Sequence, residues 1–443
     1  MRSFKLSTAL LAAAALLALA TAGSASARTP HPKRNSVIPG ASCRTTLNVA
    51  PRLITSGETA LAFGHSACPA QTVTLYQRVI GTPGFAVAGT TTTDTKGAWQ
   101  ITTAPQTTNS QFYAAIGATQ SHHQLEKVAA VVSLVGPPEG KQILEGLKTG
   151  RANAVTFSGT VSPNDAGDII VLQRQNAIKG NEWHQIGLTI VNSSGGFALT
   201  HAFAVPGASD LRVLLRGNKR NVASASNILS YQISQAQNPQ LTIFSSLDPL
   251  AYKGSTVISG KALGLPNTTL TLDSHTAGQK FTPIATVKTD GEGNYTFPAQ
   301  TPLVSTYYKV NGSGRSSAVL YQGVKYLLTA TPSATTVTSG EAVTFTGTVT
   351  PAREHDIYIE RLNIAGTGYH VVAVAKVAAN GTYSISRIFY APGTAVLRVK
   401  IPGDSENGGT ASTPVTVTVN PLAASKLTPE PPSNTTTPEE GQV

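Results

Sequence analysis

Along residues 43–420, apolar and polar positions alternate in short runs that end at glycine-containing turns. Segments 73–78 (VTLYQR), 169–174 (IIVLQR), 269–274 (TLTLDS) and 356–361 (DIYIER) all read this way. Leu211, Val213 and Leu215 fall on one face of their segment, with Arg212, Leu214 and Arg216 on the other; Leu397 and Val399 alternate with Arg398 and Lys400 in the same manner. Successive side chains of a strand point to opposite faces, so a period of two predicts half-buried strands. No segment carries a sustained helical period with caps at its ends. Many short strands separated by turns at regular intervals predict β-sandwiches.

The strands are organised by a repeat. Phe85 and Trp99, Trp183 and Phe197, Phe281 and Tyr295, and Tyr369 and Tyr383 are each fourteen residues apart, and a glycine stands two before the second aromatic: Gly97, Gly195, Gly293 and Gly381. Turns such as 93–97 (TDTKG) and 289–293 (TDGEG) read as hairpin loops that need a positive φ. Upstream, a turn glycine precedes an apolar run: Gly57 before Leu61 and Phe63, Gly150 before Val155 and Phe157, Gly254 before Val257, Gly340 before Val343 and Phe345. A second glycine closes each run, at Gly64, Gly159, Gly260 and Gly347. Four recurrences place units at 43–136, 137–236, 237–326 and 327–420, with the 318–330 stretch carrying the third unit's last strand into the fourth. Fixed spacing assigns the eight aromatics to packing rather than to a glycan-stacking platform. Trp183, between Glu182 and His184, is the best candidate for an exposed ring.

The pattern resembles the bacterial immunoglobulin-like and fibronectin-III-like repeat modules of exported surface proteins. The resemblance is carried by 339–347 (SGEAVTFTG), the V-x-L-x-x-R strand, the 289–295 turn (TDGEGNY), and Gly403-Asp404 followed by 415–419 (VTVTV). It implies an all-β chain of four tandem immunoglobulin-like β-sandwiches. For activity it implies only a spacer, adhesive or binding role, since such modules serve all three.

Residues 1–27 read as a secretory signal peptide, with Arg2 and Lys5 before an apolar Leu/Ala run at 10–19 and small residues Ala25-Ser26-Ala27 after it. The run falls short of the ~20 residues that span a bilayer, so no transmembrane segment is expected in the mature chain. Segments 28–42 and 421–443 read as disordered tails. The 427–431 stretch (LTPEP) resembles a sortase signal only loosely and is followed by no apolar span. A secreted or extracellular protein is expected, held at a cell surface, where it is held at all, by non-covalent contacts. Two cysteines in an exported chain predict a Cys43–Cys68 disulfide over free thiols or half of a metal site with His65. A separation of 25 residues is too short for the inter-sheet bridge of antibody domains, so the bond is expected to staple the first strand to the end of the second.

Composition removes whole classes. Only 12% of residues are charged, too few to coat long helices or a coiled coil, and a hydrophobic content of 40% is too high for wholesale disorder. The formal net charge of +11 is uneven. The second and third units are basic and the fourth nearly neutral, and the densest cluster is Arg212, Arg216, Lys219 and Arg220 around Gly217-Asn218. It is a candidate contact for anionic cell-envelope polysaccharide, against the plainer reading of a solvated edge that blocks strand pairing. Nucleic acid is not expected, because export removes the usual targets and no recognition motif is present.

Paired carboxylates, G-x-S-x-G, H-E-x-x-H and a Cys–His couple are all absent from the sequence. No catalytic residues, metal ligands or cofactor are therefore expected. His122, His123 and Glu126 read as a solvated loop, since adjacent histidines on a strand would point apart and no third ligand has a fixed spacing; Asn164, Asp165 and Asp168 read as a turn. The expectation is a monomeric, non-enzymatic rod of four modules with a structural or adhesive role. The alternative is a polysaccharide or wall-polymer binder acting through its second module, and surface protein is a further possible partner class.

Overall fold

A computed structural model describes residues 43–138, 143–146, 153–176, 182–364, 366 and 368–430. The signal peptide, the 28–42 segment, Gly150 and residues 431–443 lie outside the described residues.

The first module sets the pattern. Asn48–Ala50, Leu61–His65 and Ala98–Thr102 form a three-stranded antiparallel sheet. The chain then switches sheets: Leu53–Thr55 pairs in parallel with Gln124–Ala129, which continues through Ser110–Ile116 and Thr72–Val79 to the edge strand Ala86–Thr92. A first strand divided between two sheets, and a parallel pairing with the last strand, give an immunoglobulin-like sandwich.

The second module repeats it with Val131–Val132, Val155–Ser162 and Gly196–His201 in one sheet; the other runs Ile143–Leu144, Leu229–Ser234, Gly207–Leu215, Ile169–Asn176, Glu182–Ile190. The third has Phe244–Ser245, Ile258–Lys261 and Asn294–Thr296 facing Thr282–Lys288, Thr269–Thr276 and Thr306–Gly312, with Leu250–Ala251 parallel to Val324–Lys325. In the fourth, Ala342–Thr350 and Thr382–Ile388 face the run Thr336–Thr338, Val415–Asn420, Gly393–Ile401, Asp356–Leu362, Tyr369–Lys376. A register shift falls at the same place in every module, after Leu75, Leu172, Leu272 and Ile359. Such a bulge twists the edge strand and helps keep it from pairing with another chain.

Each sandwich encloses its own core. Leu75, Trp99 and Phe112 anchor the first; Phe157, Leu172 and Leu211 the second; Leu272, Tyr295 and Val310 the third; Phe345, Ile359 and Leu397 the fourth.

Three sequence expectations change, and the first module's core departs from the pattern of the others. Val131–Val132 already pairs with Val161 and Ser162, so the second module begins before Pro137. Leu61 and Phe63 do not fill the first core. Core positions lie two residues before each closing glycine, and there the first module has Ala62, where the others have Phe157, Ile258 and Phe345. Leu61 and Phe63 face outward into a separate apolar cluster with Ala50 and Tyr390 of the fourth module. The 421–430 stretch is ordered rather than disordered: Ala424–Lys426 forms a 3-10 turn, and Leu427 packs on that same cluster. Finally, the first and fourth modules touch each other, through Leu61 and Phe63 against Tyr390 and through Glu58 against Arg361, which a rod of four modules in line would not allow.

Candidate functional site

The closing glycines explain the second aromatic of every repeat. Gly64 stands opposite Trp99, Gly159 opposite Phe197, Gly260 opposite Tyr295 and Gly347 opposite Tyr383. Each ring lies across its glycine. A Cβ at Gly159 would come 2.5 Å from the Phe197 ring and 2.0 Å from the Ser133 carbonyl oxygen; at Gly347 it would meet the Thr329 carbonyl oxygen at 2.0 Å. The polar ends of the rings reach the first strand. Trp99 Nε1–H donates to Thr45 Oγ1 at 2.7 Å, Tyr383 O–H to the Thr329 carbonyl at 2.6 Å, and Tyr295 O–H to the Thr242 carbonyl. These rings are structural. The turn glycines Gly97, Gly195, Gly293 and Gly381 have φ of 80 to 85°, as the hairpins require.

The first aromatic of each repeat lies half-buried on the outer sheet face beneath a cation. Arg78 covers Phe85 at 5.2 Å, Arg212 covers Trp183 at 4.1 Å, Lys309 covers Phe281 at 4.6 Å and Arg398 covers Tyr369 at 3.8 Å. Three of these cations are held by a neighbouring strand: Arg78 donates to Gln111 Oε1 (2.6 Å), Arg212 to Gln173 Oε1 (2.8 Å) and Arg398 to Glu360 Oε2 (2.7 Å). Trp183 is therefore not the exposed ring expected, because the Arg212 guanidinium occupies one face.

The same arrangement divides the basic cluster. Arg212 is half-buried, and burial lowers its pKa to about 10. Arg216, Lys219 and Arg220 are exposed on the following loop. The backbone of that loop seats the first module. Asn109 N–H donates to the Arg220 carbonyl (2.7 Å) and Asn109 Nδ2 to that of Lys219 (3.2 Å), while Asn221 Nδ2 donates to Thr107 and Val128.

The other candidates are likewise accounted for. Cys43 and Cys68 form the disulfide, beside a bridge between Thr45 and Ser66 that ties the first strand to the end of the second. His123 stacks on Tyr113 (5.3 Å), which stacks on Tyr76 (4.8 Å), while Glu126 points inward and is fully buried. Rings whose faces are spent on one another leave mainly edges for a sugar. Asn164 bonds the Ser193 carbonyl and Asp168 accepts from Asn218, so these residues close turns. No group of three metal-ligating side chains occurs among the described residues, and no helix there is long and apolar enough to cross a membrane.

A groove of about 410 Å³ in the third module is lined by Ser274, His275, Gln279, Lys280, Gln300 and Tyr308, among others, without a carboxylate. His275 there is engaged with the Thr276 carbonyl oxygen and stacked on Tyr307. A serine and a histidine lacking an acid partner and an activated geometry do not make a nucleophile.

A cluster of charged and half-buried or buried side chains joins the first and fourth modules. Arg361 Nη1 lies 2.8 Å from Glu58 Oε1, and Thr55 Oγ1 lies 2.8 Å from His370 Nε2. Beside them is the Ala50, Leu61, Phe63 and Tyr390 cluster. The Arg52 N–H donates to Glu430 of the C-terminal segment at 2.8 Å. Sequence reading missed this site. Glu58, Arg361 and His370 carry no motif, and only the outward-facing Leu61 and Phe63 hinted at a second buried face.

No family model matches the chain, and no curated protein matches it. Among solved structures it is similar to the tetra-tandem repeat in the extending region of a large adhesion protein, at 13% identity over 85% of this chain and 99% of that one, with a TM-score of 0.24. It is similar to invasin, a bacterial integrin-binding protein, at 11% identity over 85% and 79% of the two chains, TM-score 0.23. It is also similar to E. coli alpha-2-macroglobulin at 11% identity and TM-score 0.23, spanning 86% of this chain but 30% of that one. The fold assignment rests on the sheet topology itself.

Proposed function

We propose that this chain is a non-enzymatic extracellular or cell-surface protein, an array of immunoglobulin-like modules with a structural or adhesive role. The observation that carries this reading is how the repeat spends its side chains. In all four modules the recurrent aromatics, cations and glycines serve cores and strand contacts, and the groove in the third module lacks a catalytic set. The disulfide fits an oxidising compartment. Fractionation of cells producing the tagged chain tests it. The chain is expected in the envelope or the medium, with Cys43 and Cys68 oxidised; a reduced cytosolic pool would refute it.

A second reading is favoured by the exposure of Arg216, Lys219 and Arg220 on one loop. These three side chains would contact an anionic envelope polymer, with Arg212 excluded by its place on Trp183. Binding to isolated envelopes should weaken with salt and fall in the Arg216→Ala/Lys219→Ala/Arg220→Ala variant, and Arg212→Ala should leave it unchanged.

A further inference from the structure

The contact between first and fourth modules contains a histidine whose surroundings have no place for a second proton. His370 Nε2 is occupied by Thr55 Oγ1 of the first module at 2.8 Å. Its Nδ1 is buried and meets no hydrogen-bond partner among the described residues. An imidazolium donates from both nitrogens, so protonation would bury an N–H without an acceptor.

The charges around it come from every neighbouring element. Glu58 faces it from the first module, Glu360 and Arg361 from strand Asp356–Leu362, and Arg387 from strand Thr382–Ile388. Glu58 is already committed to Arg361, and Glu430 of the C-terminal segment faces Arg387 and Tyr390. Glu126, fully buried and with neither carboxylate oxygen hydrogen-bonded among the described residues, faces Glu58 and Glu430.

We propose that this contact is an acid-released latch: with His370 neutral the first and fourth modules are closed on each other, and protonation of His370 separates them while each sandwich stays folded.

The sign follows from the surroundings. Burial, reinforced by Arg361 and Arg387, depresses the His370 pKa to about 4, against the opposing pull of Glu58 and Glu360. A depressed pKa means that the neutral ring stabilises the closed form fully above its free value near 6.5. That contribution is lost as pH falls from there toward 4. Glu126 acts with the opposite sign. Burial, then Glu430 and Glu58, raise its pKa, so its proton favours the closed form at low pH and the contribution is lost as pH rises. Of these two groups, only His370 therefore favours opening on acidification. Each module keeps a separate core, which allows the contact to part without unfolding.

Small-angle scattering of the full chain from pH 7.5 to pH 4.5, with circular dichroism on the same samples, tests the latch. The radius of gyration is expected to rise reversibly below pH 6.5, with the β-sheet signal unchanged. His370→Gln keeps an amide near Nε2 but does not titrate, so it should remain closed throughout. Thr55→Val, on the opposite module, should move the opening to higher pH. An unchanged radius in the wild type, the same opening in His370→Gln, no shift in Thr55→Val, or expansion accompanied by loss of sheet signal would each overturn the proposal.

Discussion

At the scale of single residues, the closing glycines are the positions on which the repeat turns. Gly159 has no room for a methyl group, because the Phe197 ring and the Ser133 carbonyl already fill that space. Gly187, on the edge strand of the same module, would bring a Cβ no nearer than 3.4 Å to Leu199. Gly159→Ala is therefore expected to cost about 1–3 kcal/mol of overpacking, visible by calorimetry as a lowered transition. Gly187→Ala should be neutral or stabilising by up to ~1 kcal/mol, through the unfolded chain's lost freedom. Both partners of the pair were visible in the sequence, Gly159 as the residue closing a run and Phe197 as a spaced aromatic. Their juxtaposition was not, because it depends on strand register across 38 residues. A short-range pattern reports that a residue is needed without saying what it touches.

At the scale of elements, one device recurs with different chemistry. Arg398 and Arg212 both lie over an aromatic ring and donate to the adjacent strand, but their acceptors differ. Arg398 neutralises Glu360, which is 2% exposed, whereas Arg212 bonds the neutral Gln173. Arg398→Met would strand a buried carboxylate, with an expected loss of about 3–5 kcal/mol. Arg212→Met leaves one amide oxygen without its partner, with an expected loss of about 1–3 kcal/mol. The two calorimetric transitions should fall in that order; equal shifts would mean that the ring contact, and not the acceptor, dominates. The first module adds a covalent element, whose effect comes from the loop it closes. Removing both cysteines (Cys43→Ala/Cys68→Ala) should cost about 3 kcal/mol. The loss should appear in the transition of the first module, since the other three contain no cysteine. Alternation alone did not say where Leu61 and Phe63 in this module would be buried. A strand buried on both sides reads as a continuous apolar run, and the sequence does not say which face is the sandwich core and which the neighbour.

At the scale of the whole molecule, the modules were legible and their arrangement was not. Cores repeat, so they leave a periodic trace; contacts between modules do not repeat and leave none. Asp210 accepts from the Gly403 N–H, Asn109 bonds the 219–220 backbone and Glu58 pairs with Arg361 through polar residues that read as solvated surface. The 421–430 stretch shows the consequence most directly. Its Pro-punctuated composition reads as disorder, yet Leu427 lies on the cluster formed by Leu61, Phe63 and Tyr390, and Glu430 accepts from the Arg52 N–H. A short segment with few apolar residues cannot order itself, but a preformed apolar surface between two modules supplies the burial it lacks. Truncation after Asn420 should therefore leave all four sandwiches intact and weaken only the contact between the first and fourth. Losing one half-buried leucine and one charge-assisted hydrogen bond is worth about 1–3 kcal/mol, roughly a fivefold to hundredfold rise in the open population, since each 1.4 kcal/mol is a factor of ten. Hydrogen exchange should quicken in strand Leu61–His65 and around Tyr390, with protection in Ile169–Asn176 and Thr269–Thr276 unchanged. Faster exchange in those distant strands would instead make the C-terminal segment a requirement for folding of the whole array.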